Sequence, residues 1–235
     1  RCSSNSYNLT LDGNGATSTT HTTSINATYD GTLTSITKLP ERKYLVTYDS
    51  NGGSSVSNST SSYEFQGYYK NNTQYYNADG VGVKKWDIPE NTTLSAKWDD
   101  GVVTLPVTSK DGYIFNGWYT AKSGGNLIGL AGAGYTPSSD VTLYAQWTPI
   151  TYYIKFSAGD GGSGTMSNMT VKYDQTVTLT ANSFTRGGYS FSKWSGSNGG
   201  SYSDKQSVSN LTKTNGATIT MTATWSASTY NPTIN

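Results

Sequence analysis

Apolar and polar positions alternate with a period of two in short runs along the whole chain. Tyr7-Asn8-Leu9-Thr10-Leu11 alternates and then meets Asp12-Gly13-Asn14-Gly15. Tyr44-Leu45-Val46-Thr47-Tyr48 does the same before Asp49-Ser50-Asn51-Gly52-Gly53, and Tyr152-Tyr153-Ile154-Lys155-Phe156 runs into Gly159-Asp160-Gly161-Gly162. Period two is the signature of a half-buried strand, and a strand that ends in an Asn/Asp-Gly cluster reads as the first arm of a hairpin. Helix periodicity is nearly absent, because β-branched residues and Gly dominate where Ala, Leu, Glu and Lys would have to. The pattern predicts a mainly β protein.

A second regularity overlies the first. The aromatic runs that open at Tyr63, Tyr113 and Tyr189 are each followed by a strand that ends in Trp98, Trp147 or Trp225, at distances of 35, 34 and 36 residues. Such self-similarity indicates an array of small modules. Three are expected: residues 1–98, with an inserted hairpin at about 44–61; residues 99–147, which lack an opening strand and so form a truncated module; and residues 148–225, the full one. A unit of about 50 residues is marginal alone, so the middle module is expected to pack on, or share a sheet with, the first. Residues 226–235 form a tail. Within it Tyr230, Pro232 and Ile234 share one face if extended, which makes the tail a candidate donor strand for a neighbouring copy.

The motifs Gly112-Tyr113-Ile114-Phe115-Asn116-Gly117-Trp118-Tyr119, Ser123-Gly124-Gly125 and Thr142-Leu143-Tyr144-Ala145-Gln146-Trp147 resemble the Listeria–Bacteroides repeat, the B-repeat associated with internalin B and found in prokaryotic surface proteins. The similarity spans roughly residues 7–225. It departs at Tyr68, which stands where Trp is usual. It implies modules of β-grasp type, an extracellular setting at the cell surface or secreted, and a stalk or interaction role. It supplies no catalytic residues.

Composition narrows the function classes. Charged residues are 13% of the chain, about half the ordinary share. The net charge of +1 leaves no electrostatic footprint for nucleic acid or an anionic membrane. No run of about 18 apolar residues is present, so no membrane insertion is expected within this chain. The 19 Tyr and 6 Trp supply enough ring surface for a core despite the polar composition.

Candidate chemistry is sparse. His21, the one histidine, sits in a Thr-rich stretch, and Cys2 has no neighbouring base. Asp99 and Asp100 point to opposite faces if extended. The Gly159–Gly164 run opens no helix that could hold a phosphate. Oxygen-rich turns such as Asp49–Gly53 could take calcium, but lack an EF-hand pattern. No catalytic residue, metal or cofactor is therefore assigned. Trp86 lies outside the repeat positions. With Tyr68, Tyr69, Tyr75 and Tyr76 it forms the candidate binding platform for a glycan or a surface protein. Sequons at Asn8, Asn26, Asn58, Asn71, Asn91, Asn168 and Asn210 are candidate glycosylation sites. The expected function is non-enzymatic: a structural stalk or self-assembling filament subunit of a microbial surface, or else an adhesive module. Its partner is then a second copy or a host or neighbour surface. An accessory part of a surface enzyme is the third and weakest alternative.

Overall fold

The computed structural model describes residues 4–229, all in strands, turns and loops. Cys2 and the assembly positions Tyr230, Pro232 and Ile234 lie outside the described residues. In chain order the strands are β1 (Ser6–Asp12), β2 (Ser24–Thr28), β3 (Arg42–Asp49), β4 (Ser59–Tyr63), β5 (Phe65–Lys70), β6 (Thr73–Tyr76) and β7 (Thr92–Trp98). There follow β8 (Val103–Thr104), β9 (Tyr113–Tyr119), β10 (Leu127–Gly129), β11 (Gly134–Tyr135) and β12 (Val141–Pro149). The last are β13 (Thr151–Ser157), β14 (Met169–Lys172), β15 (Val177–Thr178), β16 (Tyr189–Gly196), β17 (Ser201–Tyr202), β18 (Ser207–Val208) and β19 (Thr218–Ala227).

Three five-stranded sheets share one plan: β2-β1-β7-β5-β6, β4-β3-β12-β9-β10 and β14-β13-β19-β16-β17. In each, the strand that carries the closing tryptophan is central. It runs parallel to the opening strand, as in the pairs β1–β7, β3–β12 and β13–β19. The aromatic strand lies on its other side, antiparallel where β5 meets β7 and β16 meets β19. A parallel neighbour requires a long crossover. Here irregular segments and the two-stranded ribbons β8–β11 and β15–β18 take that part, where a β-grasp module commonly has a helix. The tandem β modules expected from the sequence are present.

The hairpin at about 44–61 needs correction. It does not belong to the sheet of residues 1–98. Its strand β3 pairs in parallel with β12, with Val46 opposite Val141 and Tyr48 opposite Leu143. The reason is physical. An opening strand must lie beside a closing strand, and β1 already occupies that side of β7. Val46 is fully buried, and the Tyr48 ring packs on Trp118 with centroids 4.9 Å apart. Residues 99–147 hold no opening strand of their own, as their sequence indicates. The hairpin β3–β4 completes their sheet. The first two sheets are thus interleaved in sequence: the chain starts one, starts the other, finishes the first, then finishes the second.

The chain divides into two compact units. One holds the described residues to Asn51, Ser55–Val107 and Gly117–Ala145. The other holds Gly52–Ser54, Thr108–Asn116 and the chain from Gln146. In the first unit, Leu9, Leu11, Leu94 and Ala96 from the sheet meet Leu33, Ile36 and Trp86 from the crossovers. In the second, Tyr152, Ile154, Val171 and Trp194 meet Leu179, Phe184 and Val208 in the same way.

Candidate functional site

The turns after the first two opening strands are built by one device. Asp12 Oδ1 accepts the N–H of Asn14 at 2.9 Å, and Asp49 Oδ1 accepts that of Asn51 at 2.8 Å. Both asparagines adopt positive φ, 46° and 48°, which Asn tolerates better than most residues. Their side chains then reach the closing strand. Asn14 Nδ2 donates to the Ala96 carbonyl at 2.9 Å, and Asn51 Nδ2 to that of Ala145 at 3.0 Å. The closing tryptophan bonds back to the turn. Trp98 Nε1 donates to the Gly13 carbonyl at 3.0 Å, and Trp225 Nε1 to the Ala158 carbonyl at 2.9 Å.

The third turn differs. Gly159 stands in the asparagine position, with φ 69°, and a side chain placed there would meet the Ala223 carbonyl. Beside this turn lies an open cleft of about 510 Å³. Ser157, Gly159, Asp160, Arg186, Thr222, Thr224 and Trp225 line it. Arg186 lies with its guanidinium carbon 3.8 Å from the centroid of the Tyr189 ring. Sequence reasoning missed this cleft. No local pattern marks it, because its lining comes from three separate segments, 157–160, 186 and 222–225.

The aromatic platform expected from the sequence does not form. Tyr68, Tyr76 and Trp86 are fully buried and Tyr75 nearly so. Tyr68 fills the core slot that Trp118 and Trp194 fill in the other sheets, and Trp86 packs on Tyr75 with centroids 5.1 Å apart. Burial pushes the phenols of Tyr68, Tyr75 and Tyr76 up to about 12. Only Tyr69 is partly exposed, with the Lys97 ammonium 4.2 Å above its ring. Apolar rings at repeat positions gain more from the core than from solvent, which is why the structure brings four of the five together inside.

The remaining candidates are placed as follows. All seven sequon asparagines are exposed. Asn8 and Asn26 face each other across β1 and β2, and Asn210 Nδ2 donates to Asp174 at 2.9 Å. His21 is held through Nδ1 by Ser18. Asp49 pairs with Lys122 at 3.3 Å; its carboxyl lies below the usual range because of the Asn51 N–H and, after it, Lys122. Among the described residues no group of three His, Cys, Asp or Glu could hold a metal ion, and no helix is long and apolar enough to cross a membrane.

Two family descriptions match the chain: the Listeria-Bacteroides repeat domain over residues 75–146 and the divergent InlB B-repeat domain over residues 152–229. The chain carries repeats of the internalin B-repeat family. Internalin H of Listeria monocytogenes is 36% identical over 86 residues, which are 37% of this chain and 15% of that protein. A protein of Evansella cellulosilytica with a membrane-protein name is 26% identical over 198 residues, 67% of this chain and 29% of its own length. A second one from that organism, named as Gly-rich, is 29% identical over 167 residues, 52% of this chain and 18% of its own. The chain therefore spans less than a third of these relatives. No solved structure matches it. The B-repeat is a repeat domain of surface proteins, not an enzyme family.

Proposed function

We propose that these B-repeats act as a non-enzymatic, load-bearing stalk segment of an extracellular surface protein. The observation that carries this reading is that, among the described residues, no free linker separates successive sheets. The first two share their sequence by strand exchange: β3–β4 precedes β5–β7, so neither sheet can come apart without pulling on the other. In the second unit one residue, Ile150, separates β12 from β13. Ile150 is buried. Its N–H donates to the Gly112 carbonyl at 2.9 Å, and its carbonyl accepts the N–H of Tyr173 at 3.0 Å. The Tyr113 hydroxyl donates to Asp174 at 2.5 Å, and Lys213 pairs with Asp111 at 2.6 Å beside it. Exposed pairs like these contribute little each; the buried isoleucine and its two backbone bonds contribute most of the junction.

Self-assembly into a filament rests on Tyr230, Pro232 and Ile234, outside the described residues, and no described feature favours it over a stalk. Adhesion through the aromatic platform loses its support with the burial of those rings. Force spectroscopy on the chain tethered at both ends tests the stalk reading. The first two sheets are expected to give way in one rupture and the third in another. Three independent ruptures of similar force would overturn it.

A further inference from the structure

We propose that the cleft between the glycine turn and the closing strand of the third repeat is a binding site for a carboxylate-bearing sugar. The proposal does not depend on the stalk reading.

Each of the three turns has one cation against a glycine and over a tyrosine ring. Arg42 lies beside Gly15 and 4.2 Å from the Tyr63 centroid; Lys110 lies beside Gly52 and 4.1 Å from Tyr113; Arg186 lies beside Gly161 and 3.8 Å from Tyr189. The pattern holds in space although not in sequence. Lys110 and Arg186 stand three residues before their tyrosines, whereas Arg42 comes from β3. None of the three makes an ion pair, while five lysines elsewhere among the described residues do. The repeats then diverge. Arg42 Nε donates to the Tyr44 hydroxyl at 3.3 Å. In the first two turns Asn14 and Asn51 occupy the space over the closing strand. Among the described residues, only the third repeat sets a guanidinium that makes no ion pair in an open cleft against its closing strand.

The lining chooses the ligand. A guanidinium stacked on a ring keeps its planar fork for a carboxylate. Thr222 and Thr224 present oxygens along one face of β19, and the Thr224 hydroxyl donates to the Lys193 carbonyl, which leaves its lone pairs for a donor from outside. The Asp160 carboxylate opposes a second anion but accepts from hydroxyl groups. Half-buried Trp225 supplies an aromatic surface, the usual partner of the apolar side of a sugar ring. A ligand with one carboxylate and several hydroxyls meets all four groups. An acidic peptide meets fewer. Peptides that bind sheets use a free main-chain edge, and β19 is bonded on both sides, to β13 and β16. The shallow, open form suits one sugar residue of a chain, with a dissociation constant of about 1 mM for the free monosaccharide.

The test is an NMR titration of the full chain with D-glucuronate, read at the Trp225 indole N–H and the Arg186 Nε–H. Saturable shifts at both are expected with glucuronate. Neither D-glucose nor acetate should reproduce them at equal concentration. Arg186→Gln should weaken binding at least about tenfold, the size expected for losing a bidentate charged contact. Thr222→Val should weaken it as well with the fold intact, because Val keeps the branched shape and strand propensity and removes only the hydroxyl that lines the cleft. An unchanged indole shift of the buried Trp194, in the core of the third repeat, checks that fold. Shifts by acetate equal to those by glucuronate, larger shifts with poly-L-glutamate, or full binding by Thr222→Val would each overturn the proposal.

Discussion

Trp98 donates its indole N–H to the Gly13 carbonyl at 3.0 Å, across 85 residues of chain, and so ties the last residue of the central strand to the turn of the first. Asn14 accepts a second, longer contact at 3.1 Å, and Trp225 repeats the bond to Ala158. The family's two most visible motifs, the glycine turn and the closing tryptophan, are the two halves of one latch. Trp98→Phe keeps most of the ring and removes the bond. It is expected to lower stability by about 1 kcal/mol, seen as a lower urea midpoint with unchanged slope. Trp225→Phe should cost as much in the third repeat. If neither variant moves the midpoint, the latch has no energetic weight.

Two buried tyrosines should respond oppositely to loss of their hydroxyls. The Tyr76 hydroxyl donates to the Thr34 carbonyl at 3.1 Å, while that of Tyr68, equally buried, has no hydrogen-bond partner among the described residues. Tyr76→Phe leaves a carbonyl unpaired and should cost about 1 kcal/mol. Tyr68→Phe removes an orphaned polar atom and should be neutral or stabilising by a similar amount. Differential scanning calorimetry of the two variants decides, and an equal loss in both would contradict the assignment.

Much of the fold was legible in the residues. Period-two runs that end in Asn-Gly or Gly-Gly gave the opening hairpins, and the Tyr…Trp spacing gave three modules. Two things were not legible. The hairpin of β3–β4 carries the same local signature as the other opening hairpins, but local signature says nothing about which closing strand it joins. That is decided by vacancy: β7 had its partner and β12 did not. The platform failed for a related reason. Tyr68 differs in type from Trp118 and Trp194, yet equivalence of position, not of residue type, decides that it is buried. The cleft in the third repeat was not legible either, because three segments far apart in the chain line it, 157–160, 186 and 222–225.

Stability should be flat in mid-range and fall at both ends of the pH scale. Asp87 is held below the usual carboxylate range by hydrogen bonds from Lys84 and then Tyr75, and Asp174 by those from Tyr113 and then Asn210. A depressed folded value stabilises above the unfolded value of about 3.9 and is lost as pH falls through the folded one. Tyr68, Tyr75 and Tyr76 are raised to about 12, so what they contribute is present below about pH 10 and lost between 10 and 12. Absorbance at 295 nm during an alkaline titration should rise in two phases, the later one coincident with loss of near-UV circular dichroism. A single phase near pH 10 with the fold intact would contradict the burial of these rings.

Interleaving makes its own demand on folding. A fragment of residues 99–147 contains the aromatic strand β9, the closing strand β12 and the ribbon β8–β11, but not β3. Without β3 the parallel edge of β12 is bare, and Trp118 loses the Tyr48 ring that packs on it. The core of so small a unit is marginal even when complete. The fragment is expected to be unfolded by amide dispersion and circular dichroism, although it spans most of one family match. Supplying β3–β4 in the same chain, as residues 42–63 joined by a Gly-Ser linker before residue 99, should restore a folded sheet, because it returns the missing strand in the register of Val46 opposite Val141. In the full chain, Val46→Ala opens a cavity at a fully buried position and should cost about 2 kcal/mol. Its effect should reach the first sheet as well: hydrogen exchange in β1 and β7 should speed up together with that in β12. Faster exchange confined to β12 would mean that the two sheets, although interleaved in sequence, fold as separate units.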